Sequence, residues 1–350
     1  MITLQRVTAI SLFLLPAFLS LPSRTATAPL PPLDLFSNST CTAPPQRKEW
    51  RTLPPHEKQA YLAAVLCLQR RASTLRPTLP GAVSRFDDFQ GVHIQHMETV
   101  HLNGQFLPWH RYFTAVYEDA LRVQCGFGGA QPYWDWTLDA DGVWAESPVF
   151  SPIDGFGGNG PYVPCEDQPF EAFCIPNGTG GGCVPDGPFR NLTLHLGPGQ
   201  NVHRNDHCLR RNFHLQSIQY WFSASEVAQT LEEDSYVRFW RRLEGLFEVH
   251  RIGLHGAGHL GVGGTLSDVY SSPGDPLFYL HHANLDRLWW QWQQLNPTER
   301  LTDISGPDSQ GPTARNVTLQ YEIDLGKLAL KVKIADVMHI GRRALCYGYA

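Results

Sequence analysis

The spacing of apolar positions marks a chain built mostly from helices. Over residues 55–69, Tyr61, Ala64, Val65 and Leu68 recur on one face and Glu57 sits in the first turn, which predicts a scaffold helix. A second helix is expected over 109–123, where Phe113, Val116, Tyr117 and Ala120 repeat at three- and four-residue steps. Helical periodicity returns over 223–248 and over 276–295, the latter carrying Trp289, Trp290 and Trp292, a large aromatic surface to bury. Between 147 and 208 the chain is rich in glycine, proline and cysteine, with Gly180, Gly181 and Gly182 in a row, which predicts stapled loops. Residues 317–337 alternate and are β-branched, as one or two strands would be. No repeat of solenoid length is visible.

Composition narrows the class. At 350 residues and 42% hydrophobic, the chain has enough apolar surface for a large core. Residues 1–28 read as a secretory signal, with Arg6, an apolar run from Ala9 to Leu21 and the small residues Ala26, Thr27 and Ala28, although Pro29 leaves the cut site open. Residues 29–350 are then expected to form one domain, and no later apolar run is long enough to span a bilayer. The net charge of −5 argues against nucleic acid as a partner. Eight cysteines, none in a Cys-x-x-Cys pair, suit disulfides in an exported chain. The sequons at Asn38, Asn177, Asn191 and Asn316 make it a candidate glycoprotein.

The candidate chemistry lies in six histidines arranged as two triplets. His255 and His259 stand four apart, so a helix would put both rings on one face, and His282 supplies a third imidazole further on. Asp286 follows His282 by one turn; it could bond a ligand ring's second nitrogen, pair with Arg111 or Arg287, or help start the helix. The first triplet is His93, His101 and His110, with His96 a rival for His93 and no cysteine or carboxylate beside it. All-imidazole ligation suits copper, zinc, iron or nickel. We read His195, His203, His207, His214 and His250 as non-ligands, and His281 as a support for its neighbours.

The strings His101-Leu102-Asn103-Gly104-Gln105-Phe106-Leu107-Pro108-Trp109-His110-Arg111 and Asp275-Pro276-Leu277-Phe278-Tyr279-Leu280-His281-His282-Ala283-Asn284-Leu285-Asp286-Arg287 resemble the two copper signatures of the tyrosinase and catechol oxidase family. The resemblance extends to Pro132-Tyr133-Trp134-Asp135-Trp136, to Gly263-Gly264 and to Tyr347-Gly348-Tyr349, and is strongest to short secreted fungal members. It implies a mainly α fold: a four-helix bundle housing a dicopper centre, with disulfide-stapled loops and a few short strands. His93, which it favours over His96, would hold one copper with His101 and His110, and His255, His259 and His282 the other. Small phenols and O2 would be the partners, an o-quinone and water the products, and the protein a monomer or small homo-oligomer. Of the many possible cysteine pairings we single out Cys41 with Cys346.

Departures from the family pattern sharpen the expectation. Many relatives join a cysteine to the second histidine of the first triplet, but Thr99 stands nearby and no cysteine lies between Cys67 and Cys125. Hydroxylating relatives often place an asparagine after the first histidine of the second triplet, where with a glutamate it holds a water that deprotonates phenol; here the residue is Gly256. Glu244 resembles that glutamate, with Glu248 its rival. Phe278 is expected to overhang the metals and Leu260 to line the entrance. With no plug domain following the second triplet, no activating cleavage is expected there. Diphenol oxidation should therefore exceed monophenol hydroxylation, with o-aminophenols as further substrates. The competing readings are a tyrosinase with substantial monophenolase activity, a haemocyanin-like oxygen carrier and a zinc hydrolase using Glu244 as its base.

Overall fold

Four helices, each contributing to the histidine triplets or ending beside one, form the centre of the fold, and the other elements brace them. The computed structural model describes residues 41–140, 144–245, 251–342 and 344–350, so the expected signal at 1–28, Asn38, Glu248 and His250 lie outside the described residues. Helix α1 (Pro55–Arg70) starts with proline, whose missing N–H costs nothing in a first turn, and buries Tyr61, Ala64, Val65 and Leu68 as the pattern requires. Helix α2 (Arg85–Val100) was not legible as a helix. Its start is set by a capping box in which the Asp87 amide donates to Ser84 Oγ (3.2 Å) and the Ser84 amide donates to Asp87 Oδ2 (2.7 Å). Helix α3 (Phe106–Cys125) is longer than the expected 109–123 and stops at Gly126, whose φ of +69° is the left-handed value favoured by glycine.

The stretch 223–248, expected as one helix, is broken. Helix α4 (Leu215–Trp221) precedes it, and α5 (Ala224–Leu231) and α6 (Tyr236–Glu244) divide its described part. The break falls at Glu232–Ser235, where the Tyr236 amide is capped from a distant segment by Asp303 Oδ2 at 2.8 Å. Helices α7 (Gly253–Val262) and α8 (Leu277–Leu295) follow, then the short α9 (Pro297–Arg300) and α10 (Ile334–Val337). Helix α8 packs against α3 and α7, and α2 against α1 and α3, around a core with Trp109, Trp134, Trp136, Trp289 and Trp292 buried.

Sheet structure is reduced to two-residue pairs. β1 (Gln46–Arg47) runs parallel to β6 (Gly348–Tyr349), joining the start of the described residues to their last strand, and Cys41 pairs with Cys346 beside it. β2 (Thr193–Leu194) and β3 (His207–Cys208) are antiparallel, as are β4 (Glu322–Ile323) and β5 (Val332–Lys333), the remnant of the strands expected over 317–337. The Gly-, Pro- and Cys-rich segment is stapled within itself by Cys165–Cys174 and Cys183–Cys208, while Cys67–Cys125 ties α1 to the end of α3. Among the described residues no helix is long and apolar enough to cross a membrane.

Candidate metal centre

The two triplets assemble as two groups of nitrogens, His93, His101 and His110 in one and His255, His259 and His282 in the other, with the donor atoms of each group within 4.8 Å of one another. His93 comes from the middle of α2, His101 from the residue that ends it, His110 from the first turns of α3, His255 and His259 from α7 and His282 from α8. The groups face each other: the rings of His110 and His282 stack at 4.5 Å and 17°, and those of His101 and His255 lie 5.7 Å apart.

Hydrogen bonds settle which ring nitrogens remain free. Nδ1 of His93 lies 2.7 Å from the Tyr270 carbonyl, of His101 3.0 Å from Met97, of His110 2.9 Å from Phe106 and of His259 2.7 Å from Leu266. A carbonyl only accepts, so each ring donates from Nδ1–H and keeps its lone pair on Nε2. Nε2 of His93 and of His110 is buried without a hydrogen-bond partner. In the second group His255 Nε2 is 3.0 Å and His282 Nε2 3.4 Å from His259 Nε2. Converging lone pairs repel unless a proton or a cation sits among them. The donor set thus fits two borderline metal ions such as copper.

Burial reinforces this. Desolvation, with mutual repulsion among the rings, holds His93, His110, His255 and His282 well below the ordinary histidine pKa of 6.5, and His101 and His259 down to about 4. All six are therefore neutral at pH 7, the form that binds metal. His93, His110 and His282 are at most 3% exposed, whereas His259 is half-buried, so the most exposed of the six rings lies on α7.

His281 bridges two of its neighbours. Its Nδ1 accepts from Trp136 Nε1–H (3.1 Å) and its Nε2–H donates to the His255 carbonyl (3.1 Å), which leaves no nitrogen for a metal. His96 packs toward Trp109 and is outside the triplet. His195 pairs with Asp87 at 2.8 Å, His207 bonds the Asn205 carbonyl and His214 bonds Ser217.

Of the alternatives open for Asp286, the structure shows the pairing with Arg111 and no bond to a histidine ring: its carboxylate takes Arg111 Nε, Arg47 Nη1 (3.2 Å) and the hydroxyls of Tyr347 and Tyr349 (both 2.5 Å), while Arg287 turns to Asp135. The Arg111 pairing joins the residue after His110 to the residue one turn beyond His282, so this knot clamps α3 to α8 behind the two triplets and ties the segments around Arg47 and Tyr349 onto them. Phe278 does lie against both triplets, but from the core side: it is 0% exposed, stacks on His282 at 4.0 Å and lies 5.3 Å from His93, which makes it a buried wall and not a surface open to a substrate. Phe106, which the sequence did not single out, lies 4.7 Å from His255 and 4.8 Å from His110 and is equally buried.

Glu244 ends α6 and is buried. Its Oε1 accepts from the Leu102 amide at 2.8 Å, and its Oε2 is buried without a partner. Burial pushes its carboxyl well above the ordinary range, and the Leu102 N–H pulls only partly back. Gly256 and Leu260 are half-buried on α7; a Cβ at Gly256 would meet only Ile252, at 3.3 Å. All eight cysteines are in disulfides, so no thiol is left to join His101.

The model of the common central domain of tyrosinase matches residues 83–295. The chain is 38% identical over 315 residues to tyrosinase ustQ of Aspergillus flavus, covering 88% of this chain and 80% of that protein. It is 36% identical over 337 residues to N-acetyl-6-hydroxytryptophan oxidase ivoB of Emericella nidulans, covering 87% and 91%. A point mutant of polyphenol oxidase from Thermothelomyces thermophila superposes with a TM-score of 0.79 at 35% identity, covering 89% of this chain and 90% of that one. The chain belongs to the tyrosinase family, whose members are copper-dependent oxidoreductases acting on phenols with O2. A functional unit of octopus hemocyanin shares the fold alone, with a TM-score of 0.50 at 22% identity over 87% of this chain and 67% of that one.

Proposed function

We propose that this protein is an exported dicopper oxidase that converts o-diphenols to o-quinones while O2 is reduced to water, with weak activity on monophenols and o-aminophenols. The observation that carries the reading is the pair of facing all-imidazole triplets, with Nδ1 tied to carbonyls in four of the six rings and Nε2 turned inward. Two coppers bound there would supply the redox couple through which two catechols, each giving two electrons and two protons, reduce one O2 to two waters. The chain's own part is to hold and orient. The Arg111–Asp286 pair keeps α3 and α8 together, His281 fixes the carbonyl of His255, and Phe106 and Phe278 exclude water from the core side.

Glu244 Oε2 is the group suited to hold a water and accept its proton, since burial raises its proton affinity. With Gly256 beside His255 there is no side-chain amide to share that water, which favours substrates that are already good electron donors. Four disulfides support an oxidising destination. The test is turnover of 4-tert-butylcatechol against tyrosol. Lag-free oxidation of the catechol with slow, lagging oxidation of tyrosol is expected; equal, lag-free rates would favour a full tyrosinase. Reversible O2 binding without turnover would favour the oxygen-carrier reading that the shared fold leaves open.

A further inference from the structure

His101 is the only one of the six imidazoles that stands outside a helix: its ring is tied to α2 through Nδ1–H to the Met97 carbonyl (3.0 Å), but its own backbone is not helical. It ends α2 in an extended conformation (φ −119°, ψ 153°), and Leu102 after it has φ 56°, a left-handed conformation that bulky residues avoid. Something must hold that turn. Asn103, fully buried, reaches both ways along it: its amide Nδ2 donates to the carbonyls of Thr99 (2.7 Å) and His101 (3.0 Å), and its Oδ1 accepts from the Gln105 amide (3.1 Å), where α3 begins. Glu244 Oε1 accepts from the Leu102 amide at 2.8 Å, and Tyr236, on the same helix as Glu244, donates its hydroxyl to the Gly104 carbonyl at 2.8 Å. Thus α2, α3 and α6 meet on five residues that contain a metal ligand.

We propose that Asn103, with the Oε1 side of Glu244, is the positioning device for His101: it holds the non-helical turn that carries this ligand, and so governs how firmly the first of the two metals is kept. The proposal rests on the dicopper reading and assigns to Glu244 a second task, separate from its free Oε2. Asn103→Asp keeps the size and the acceptor but loses both donations, and turns a carboxylate on two carbonyls. Glu244→Gln keeps an oxygen that can accept from Leu102, whereas Glu244→Leu does not.

The experiment uses the full chain loaded with copper and follows copper per chain during timed exposure to a chelator, beside the melting temperature of the metal-free protein. Wild type and Glu244→Gln are expected to keep both ions alike. Asn103→Asp, Asn103→Ala and Glu244→Leu should release one of the two on the order of tenfold faster, the usual scale for losing a ligand's outer partner, and hold the other at the wild-type rate. A variant with a merely structural defect would lose both together with a lowered melting temperature. Variants that keep both ions as long as wild type, or lose both together, overturn the proposal while the dicopper reading stands. A wild type that takes up no copper overturns that reading, and this proposal with it. Should Asn103→Ala fail to fold, the Glu244 pair reads the same turn from α6.

Discussion

Replacing Asp286 by asparagine removes the charge that two buried arginines share. Arg47 and Arg111 are both 0% exposed at the side chain and Asp286 only 3%. After the change Arg47 still has Glu118, at 2.7 Å from Nη2. Among the described residues Arg111 has no other carboxylate: it keeps Gln293 Oε1 at 3.2 Å, the carbonyls of Val337 and Met338, and the Trp289 ring at 3.7 Å. Leaving one partner of a buried ion pair uncompensated costs about 3–5 kcal/mol, and the indole face, already engaged in the wild type, offsets none of it. A loss of roughly 3–5 kcal/mol should lower the melting temperature of the metal-free protein by about 6–10 °C at pH 7. Tyr347→Phe, which removes one hydrogen bond to the same carboxylate, should cost roughly 1–2 kcal/mol. The deficit also has a pH signature. Burial raises the Asp286 carboxyl, but Arg111 and Arg47 outweigh it and hold it below the ordinary carboxylate range. Its contribution is therefore present above about pH 4 and is lost as pH falls through its lowered folded value, so wild type and Asp286→Asn should converge in strong acid. A melting temperature within about 1 °C of wild type at pH 7, or a gap unchanged in acid, would refute this account of the knot.

Further outcomes follow from the site. A Cβ at Gly258 would fall on the His281 ring, which is pinned between Trp136 and the His255 carbonyl, so Gly258→Ala should cost roughly 1–3 kcal/mol and weaken metal binding by the second triplet; melting and metal analysis read both, and normal values for both would contradict the packing described. The histidines are held below their unfolded pKa, which means the metal-free fold is most stable above about pH 6.5 and loses stability as pH falls toward 4, by as much as roughly 3 kcal/mol for each of His101 and His259; denaturation midpoints between pH 7 and pH 4 check this, and a flat profile would count against it. Gly256→Asn places an amide beside His255 at the cost of a tight contact with Ile252 (3.3 Å), and should raise the ratio of monophenol to diphenol turnover at least a few-fold; an unchanged ratio would remove Gly256 from the account of specificity.

Much of the site was legible because it is local. The His255–His259 pair lies one turn apart on α7, and His101 and His110 each donate to the carbonyl four residues earlier, a spacing written in the chain. Helix α2 was hidden for a physical reason. Arg85, Asp87, Asp88, Gln90 and His93 are buried beside Phe86 and Phe89, so no polar stripe alternates with an apolar one, and Gly91 mid-helix faces Leu79 and Leu196, where a Cβ would not fit. The break before α6 depends on Asp303, a cap supplied from a distant segment. Asp286 shares a face with His282 by spacing and Arg111 was among its candidate partners, yet only the fold brings Arg47, Tyr347 and Tyr349 to it from distant segments. Phe278 likewise reads as a site aromatic from its place in the motif, and its role as a buried wall follows from packing against Phe113 and His93.

The central claim is that the two triplets hold a coupled pair of copper ions. Metal analysis of the purified protein, together with its absorption spectrum before and after addition of hydrogen peroxide, tests it most directly. We expect two coppers per chain and an intense near-ultraviolet band that appears on peroxide addition and is lost when either His110 or His282, stacked across the centre, is replaced by alanine. One zinc per chain with no such band, or a band that survives the loss of either histidine, would contradict it.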